Sequence, residues 1–102
     1  MPLSRGSAGK VLLAWGPGGV DGRPDAAELR GIRVRGWAES VAEREAGVAS
    51  VSAPVFGEDG RLRAAVSVSG PISRLGESPG QRLSHLVVEA AREIESTIVR
   101  WY

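Results

Sequence analysis

Two β-rich runs, Val48 to Phe56 and Leu62 to Gly70, flank Gly57-Glu58-Asp59-Gly60, and nothing else in the chain constrains the fold as strongly. Asp-Gly between such runs is the strongest short-range signal for an antiparallel hairpin. Alternate side chains of a strand share a face. Ala49, Val51, Ala53 and Val55 therefore share one face of the first strand, opposite Ser50 and Ser52. In the second strand Leu62, Ala64, Val66 and Val68 share a face, with Arg63, Ala65, Ser67 and Ser69 on the other. A two-residue Asp59-Gly60 loop sets Glu58 opposite Arg61. Counting back pairs Ser52 with Ser67 and Ser50 with Ser69. A four-residue loop shifts the register by two and preserves the faces. One face is then aliphatic and the other carries hydroxyls. Pro54 lies inside the first run, cannot donate a ladder hydrogen bond, and is expected at an outward N–H position or a bulge.

The hydroxyl face has two readings. Antiparallel sheets commonly leave one face to water. A water-facing surface, however, usually carries Lys, Glu, Arg or Thr, and between Ala49 and Gly70 charge occurs only around the turn. Ser and Ala also leave room beneath a covering helix. A concavity lined with hydroxyl donors suits a small polar ligand, a carboxylate above all.

Helices account for most of the rest. Ser7 to Trp15 (SAGKVLLAW) predicts a short helix, and Gly16 to Arg23 (GPGGVDGR) a loop. Asp25, with Glu28 three residues on, has capping-box spacing at the head of a second helix. Leu29 and Ile32 face inward there, Arg30 and Arg33 outward. Val34 to Ala38 predicts a short strand and Glu39 to Ala46 a polar stretch. Ser73 to Gly80 reads as a loop ending in a helix start, with Ser78 as cap, Pro79 first and Gln81 third. Leu83, Leu86, Val87, Ala90, Ala91, Ile94 and Ile98 then form one apolar stripe. Leu86 and Ile94 are expected to be buried against the aliphatic sheet face with Val66 and Val68. The class is α+β: an antiparallel sheet around the hairpin 48–70 with helices packed on it, in a single domain over residues 1–102.

Composition excludes several functions. The chain has 102 residues, a net charge of +1 and no cysteine. Near-neutral charge argues against a strongly basic nucleic-acid binder. Without cysteine there is no disulfide, thiolate metal site or cysteine nucleophile; this suits the cytoplasm, and no stretch has the length of a signal peptide or a membrane span. His85 is the only histidine, at the margin of the closing helix's apolar stripe, and no motif pairs it with a nucleophile. Gly16 to Gly19 (GPGG) lacks the following Gly-Lys-Ser/Thr of a phosphate loop. Arg30, Arg33 and Arg35 read as a solvated face beside Glu28, Glu39 and Glu43. No enzyme is expected, and no cofactor or metal.

Four segments in order resemble a known family. GVASVSAPVFGEDGRLRAAVSVSGPISRL, Gly47 to Leu75, is similar to the most characteristic stretch of IclR-type effector-binding domains. GSAGKVLLA (Gly6 to Ala14) resembles that family's small-residue loop and following helix, and Gly36 to Ser40 with Glu43 and Gly47 its link into the hairpin. LVVEAAREIE (Leu86 to Glu95) resembles its closing helix. The resemblance implies a truncated GAF-like fold in a bacterial transcription regulator, binding a small organic acid or aromatic metabolite and assembling as a homodimer or higher oligomer. Carried over position by position, the ligand contacts fall on Ser7 and Ala8 in the loop, on Ser40, and on Ser50, Ser67 and Ser69 in the hairpin. The chain departs from the family in two ways. It begins at the GSAGK loop, without the winged helix-turn-helix domain and the first strands of the effector domain, so no direct DNA binding is expected of it. Its connection from Trp15 to Arg35 is shorter by roughly a helix and its turn. The other reading is a self-association module with a vestigial pocket, in which sheet edges left by the missing strands pair between chains. Trp15, Trp37 and Trp101 add apolar area in support of association.

Overall fold

The computed structural model describes residues 6–43 and 46–101, with side chains described up to residue 97; Ile98 and Trp101 of the expectations above lie outside the described side chains. The order is α1 (Ser7–Trp15), α2 (Ala26–Arg35), β1 (Ala38–Val41), β2 (Val48–Phe56), β3 (Leu62–Pro71), α3 (Ile72–Leu75) and α4 (Pro79–Trp101). The three strands form an antiparallel sheet in the order β1-β2-β3. The expected α+β class with helices on an antiparallel sheet is what forms.

The hairpin reaches the expected register by an unexpected route. Gly57 N–H donates to Arg61 O at 2.9 Å and Gly60 N–H to Gly57 O at 3.0 Å, so three residues, neither two nor four, make the loop. Gly60 takes the left-handed conformation (φ 77°) that such loops require. Phe56 then pairs with Leu62, whereas Val55 pairs with Ala64. Arg63 is the extra residue of a bulge, and it returns the one position that the longer loop consumed. Beyond it Ser52 pairs with Ser67 and Ser50 with Ser69. The bulge also corrects the face of Leu62, which packs with Ala65 against the cluster formed by Val11, Ala14, Leu29 and Ile32.

Helices cover both faces of the sheet. α1 lies on the serine side, with α2 packed on it, and Val11, Ala14, Val20, Leu29, Ile32 and Ala38 form one core. α4 lies on the aliphatic side, where Val51, Ala53 and Val55 meet Val87 and Ala91 in a second core. Two expectations about α4 fail. Leu86 is 53% exposed and Ile94 39%, and Val68 is exposed as well. Successive helix positions turn by about 100°, so a helix that aims Val87 and Ala91 at the sheet carries Leu86 and Ile94 to its flank. A three-stranded sheet is too narrow to cover that flank. The approach is close: a Cβ on Gly80 would run into the Trp37 ring.

α2 also differs at both ends. Asp25 makes no cap hydrogen bond. Its carboxylate instead accepts from the Arg23 guanidinium at 2.9 and 3.3 Å, and these bonds hold it below its ordinary value of 3.8. Val34 and Arg35 remain helical, and the helix stops at Gly36, whose left-handed backbone (φ 89°) sends its N–H to Ile32 O at 2.8 Å. The strand that follows therefore starts at Ala38, not Val34. Pro54 sits where expected. β1 pairs with β2 only as far as Ser52, and Pro54 O accepts from Arg92 of α4 at 2.8 Å. Its backbone polar groups thus face away from β3, and no ladder bond is lost. Phe56 N–H donates to Glu95 at 2.8 Å, and Glu95 pairs with Arg92 at 2.9 Å. Two side chains of α4 thereby satisfy the stretch of β2 edge that β1 leaves open.

Candidate functional site

The site is built where α1 starts over the sheet. Gly6, at φ 93°, turns the chain into the helix, and its N–H donates to Glu43 Oε1 at 3.2 Å. Ser7 follows with its side chain directed at the strands. Ser7 Oγ lies 2.6 Å from Ser50 Oγ and 2.6 Å from Ser52 Oγ. Ser52 Oγ in turn lies 2.5 Å from Ser67 Oγ. Four hydroxyls from α1, β2 and β3 form one unbranched chain: Ser50, Ser7, Ser52, Ser67.

Counting protons shows what this chain can do. Four hydroxyls own four protons, and three bonds use three of them. One donor remains. Ser7 is 2% exposed and Ser52 is fully buried, so a free proton on either would be a buried unsatisfied donor, costing about 1–3 kcal/mol. The remaining donor therefore falls to Ser50 or Ser67. Ser50 is half-buried and Ser67 exposed. The chain can run in either direction, offering a donor at one end and acceptor lone pairs at the other. Linked hydroxyls polarise one another, so the terminal donor is stronger than a lone serine.

The remaining expected residues surround this chain without joining it through any described bond. Ser40 and Ser69 are the cross-strand partners of Ser50 on β1 and β3, giving the row Ser40–Ser50–Ser69. Ser40 is buried and Ser69 exposed. Ala8 is half-buried in the first turn of α1, beside Ser7. The hydroxyl face is thus covered around Ser7, Ser40 and Ser52 and open to water at Ser67 and Ser69, and it is not an empty concavity. Its covered part is roofed by the start of α1.

Sequence reasoning left Ser52, Lys10, Glu43 and Glu39 out of the site. Ser52 was placed on the right face but left out of the site, although it joins Ser7 to Ser67. Lys10 is 4% exposed and donates to Glu43 Oε2 at 2.7 Å and to Glu39 O at 3.2 Å, with Glu28 Oε2 at 3.2 Å. Glu43 thereby holds both Gly6 and Lys10 and ties the start of α1 to the segment after β1. Lys10 lies three residues after Ser7, on the same helix face, and an inward lysine requires carboxylates, but nothing local in the sequence marks it as inward. Glu39 carries a further role, since its Oε2 accepts from Gly80 N–H at 2.9 Å and satisfies an orphan donor at the start of α4. His85 is exposed on α4, across the sheet from the serines, so no imidazole can serve them as base. Among the described residues no group of three or more His, Cys, Asp or Glu could hold a metal ion. Among them, too, no helix is long and apolar enough to cross a membrane.

Comparison with known proteins agrees with this architecture. Residues 26–96 match the family described as bacterial transcriptional regulator IclR C-terminal. The chain is 40% identical over 67 residues to the HTH-type transcriptional regulator BhcR of Paracoccus denitrificans, an overlap of 66% of this chain and 24% of that protein. It is 32% identical over 120 aligned positions to RhmR of Escherichia coli, an uncharacterized HTH-type transcriptional regulator, covering 99% of this chain and 46% of that one. The chain thus spans less than half the length of either curated relative. The crystal structure of the C-terminal domain of the E. coli transcriptional regulator KdgR superposes with a TM-score of 0.77 at 28% identity, covering 95% of this chain and 71% of that one. These relatives are transcription regulators, not enzymes.

Proposed function

The chain belongs to the IclR family of bacterial transcription regulators, matching its C-terminal domain, and on that premise we propose that it senses a small organic acid at the serine chain beneath α1. The observation that carries this reading is the hydroxyl chain itself. A carboxylate arriving at Ser67 takes the one free proton, and the others align behind it from Ser50 through Ser7 and Ser52. Ser69 and Ser40 lie in the adjoining row, and Ala8 gives the ligand an apolar neighbour. The helix start above adds N–H groups and a positive dipole end. Binding between α1 and the sheet would shift α1 relative to Glu43, and so reach the β1–β2 connection through Lys10. Residues 1–102 act as one cytoplasmic, GAF-like sensing domain that makes no direct DNA contact of its own.

Thermal denaturation against acetate, pyruvate, lactate and benzoate tests this. A ligand that binds only the native state at one hundred times its Kd stabilises by about 2.7 kcal/mol, a shift of several degrees or more for a domain of this size. No shift with any acid at tens of millimolar would refute the reading.

A second reading, self-association without a ligand, draws on a separate observation. Leu86, Ile94 and Val68 are exposed, and among the described residues β3 is an unpaired edge strand with no Lys or Glu between Ala64 and Ser69. A homodimer closed over this flank serves either reading. Sedimentation equilibrium at micromolar concentration decides it: a dimer is expected, and a folded monomer contradicts it.

A further inference from the structure

At the far end of α1 from Ser7, the helix end and the hairpin tip enclose a groove of ≈ 760 Å³. A nine-residue helix separates the two places, so they lie about 12 Å apart along its axis. Leu12, Trp15 and Leu62 supply the groove's apolar surface, and Arg61 and Arg63 stand at its margin. We propose that this groove is a second ligand site, distinct from the serine chain, for an organic anion with a flat apolar body of one or two rings.

Each part of that chemistry has a counterpart among the lining residues. The volume lies within the range of small-molecule sites, roughly 300–1,000 Å³. The Trp15 ring is fixed, packed edge-on against Phe56 with centroids 5.8 Å apart and planes at 80°. A fixed indole beside the half-exposed Leu12 offers a flat apolar wall at little entropic cost. Arg61 and Arg63 are among the residues that line the groove, and no acidic residue is. Asp59 on the turn faces the Arg61 guanidinium only at 4.0 Å, and the Arg61 side chain is 86% exposed. Such a pair is weak and leaves Arg61 able to meet an anion. Arg63 is placed by the fold: it is the bulge residue, and its side chain folds over Gly57, where an added Cβ would meet Nε at 2.6 Å. The C-terminal end of α1 brings an opposing partial negative charge of about one half, smaller than the full charge of the exposed Arg61 guanidinium.

The test uses naphthalene-1-sulfonate as the anion and 1-naphthol as its uncharged counterpart, titrated into the full chain and followed by two-dimensional amide NMR. The sulfonate is expected to shift the Trp15 indole N–H, Gly16, Gly60 and Arg61 saturably, and to bind at least ten-fold more tightly than the naphthol. Arg61→Glu with Arg63→Glu should abolish that preference. If the double variant loses its dispersed spectrum, Arg61→Glu alone must still weaken sulfonate binding several-fold. The proposal is overturned if nothing binds, if sulfonate and naphthol bind equally, or if the shifts centre on Ser7, Ser50 and Ser67. None of these outcomes depends on whether a carboxylate binds the serine chain, and the two sites report through different residues.

Discussion

Single side chains decide whether the serine chain is structure or merely surface. Ser52 is fully buried and bonded on both sides, whereas its face-mate Ser69 is exposed. Ser52→Ala should therefore cost about 1–3 kcal/mol in urea unfolding. Ser69→Ala should stay within about 0.5 kcal/mol; equal costs would mean that the hydroxyl bonds contribute nothing. At this scale the sequence was legible for the serines, because a period of two assigns every hydroxyl to a face within its own strand, and an even-length loop, or an odd one corrected by a bulge, brings the two serine faces together. It was less legible for Lys10. A lysine in a nine-residue helix reads as solvated until its partners are known, and Glu43 lies 33 residues away along the chain. Its carboxylates are half exposed, at 54% for Glu28 and 34% for Glu43, so removing Lys10 leaves charges that can rehydrate. The loss should fall below the roughly 3–5 kcal/mol of breaking a fully buried pair.

Elements were harder to read than residues where two of them meet. The apolar stripe of α4 was correct as a helix signal but did not say which part of it faces the sheet. Val87→Ala should cost about 1.5–3 kcal/mol, because Val87 is 2% exposed against Val51 and Val55. Leu86→Ala should cost much less in a monomeric sample. Chemical denaturation of the pair checks this, and the reverse order would restore the original placement of Leu86 in the core. The tight seat of α4 on Trp37 makes a related prediction. Gly80→Ala forces a methyl into the indole ring and should destabilise by about 1–3 kcal/mol, although alanine is the better helix former. The turn was legible in kind and not in length. Asp59-Gly60 marked the hairpin, but only the Arg63 bulge reconciles a three-residue loop with the Ser52–Ser67 register. A bulge depends on packing between strands, here on Leu62 turning to join the α1 core, and leaves no mark in the local sequence.

For the whole molecule, the family resemblance, the order of elements and the two-sided covering of the sheet agree. The position of α1 on the serine side was visible only as room left by small side chains. The narrowness of the three-stranded sheet, which exposes Leu86 and Ile94, could not be read from any single segment. With a net charge of +1, the isolated chain should show no sequence-specific duplex binding at physiological salt; a salt-resistant shift of a defined DNA site would overturn this. The central claim is that the hydroxyl chain beneath α1 receives a small organic anion. Isothermal titration calorimetry tests it most directly, using whichever acid stabilises the chain most, with wild-type protein and with Ser50→Ala/Ser67→Ala, which removes both ends of the chain. The account predicts a one-site isotherm for the wild type and at least ten-fold weaker binding for the variant. No binding heat in the wild type, or the same affinity in both, would contradict it.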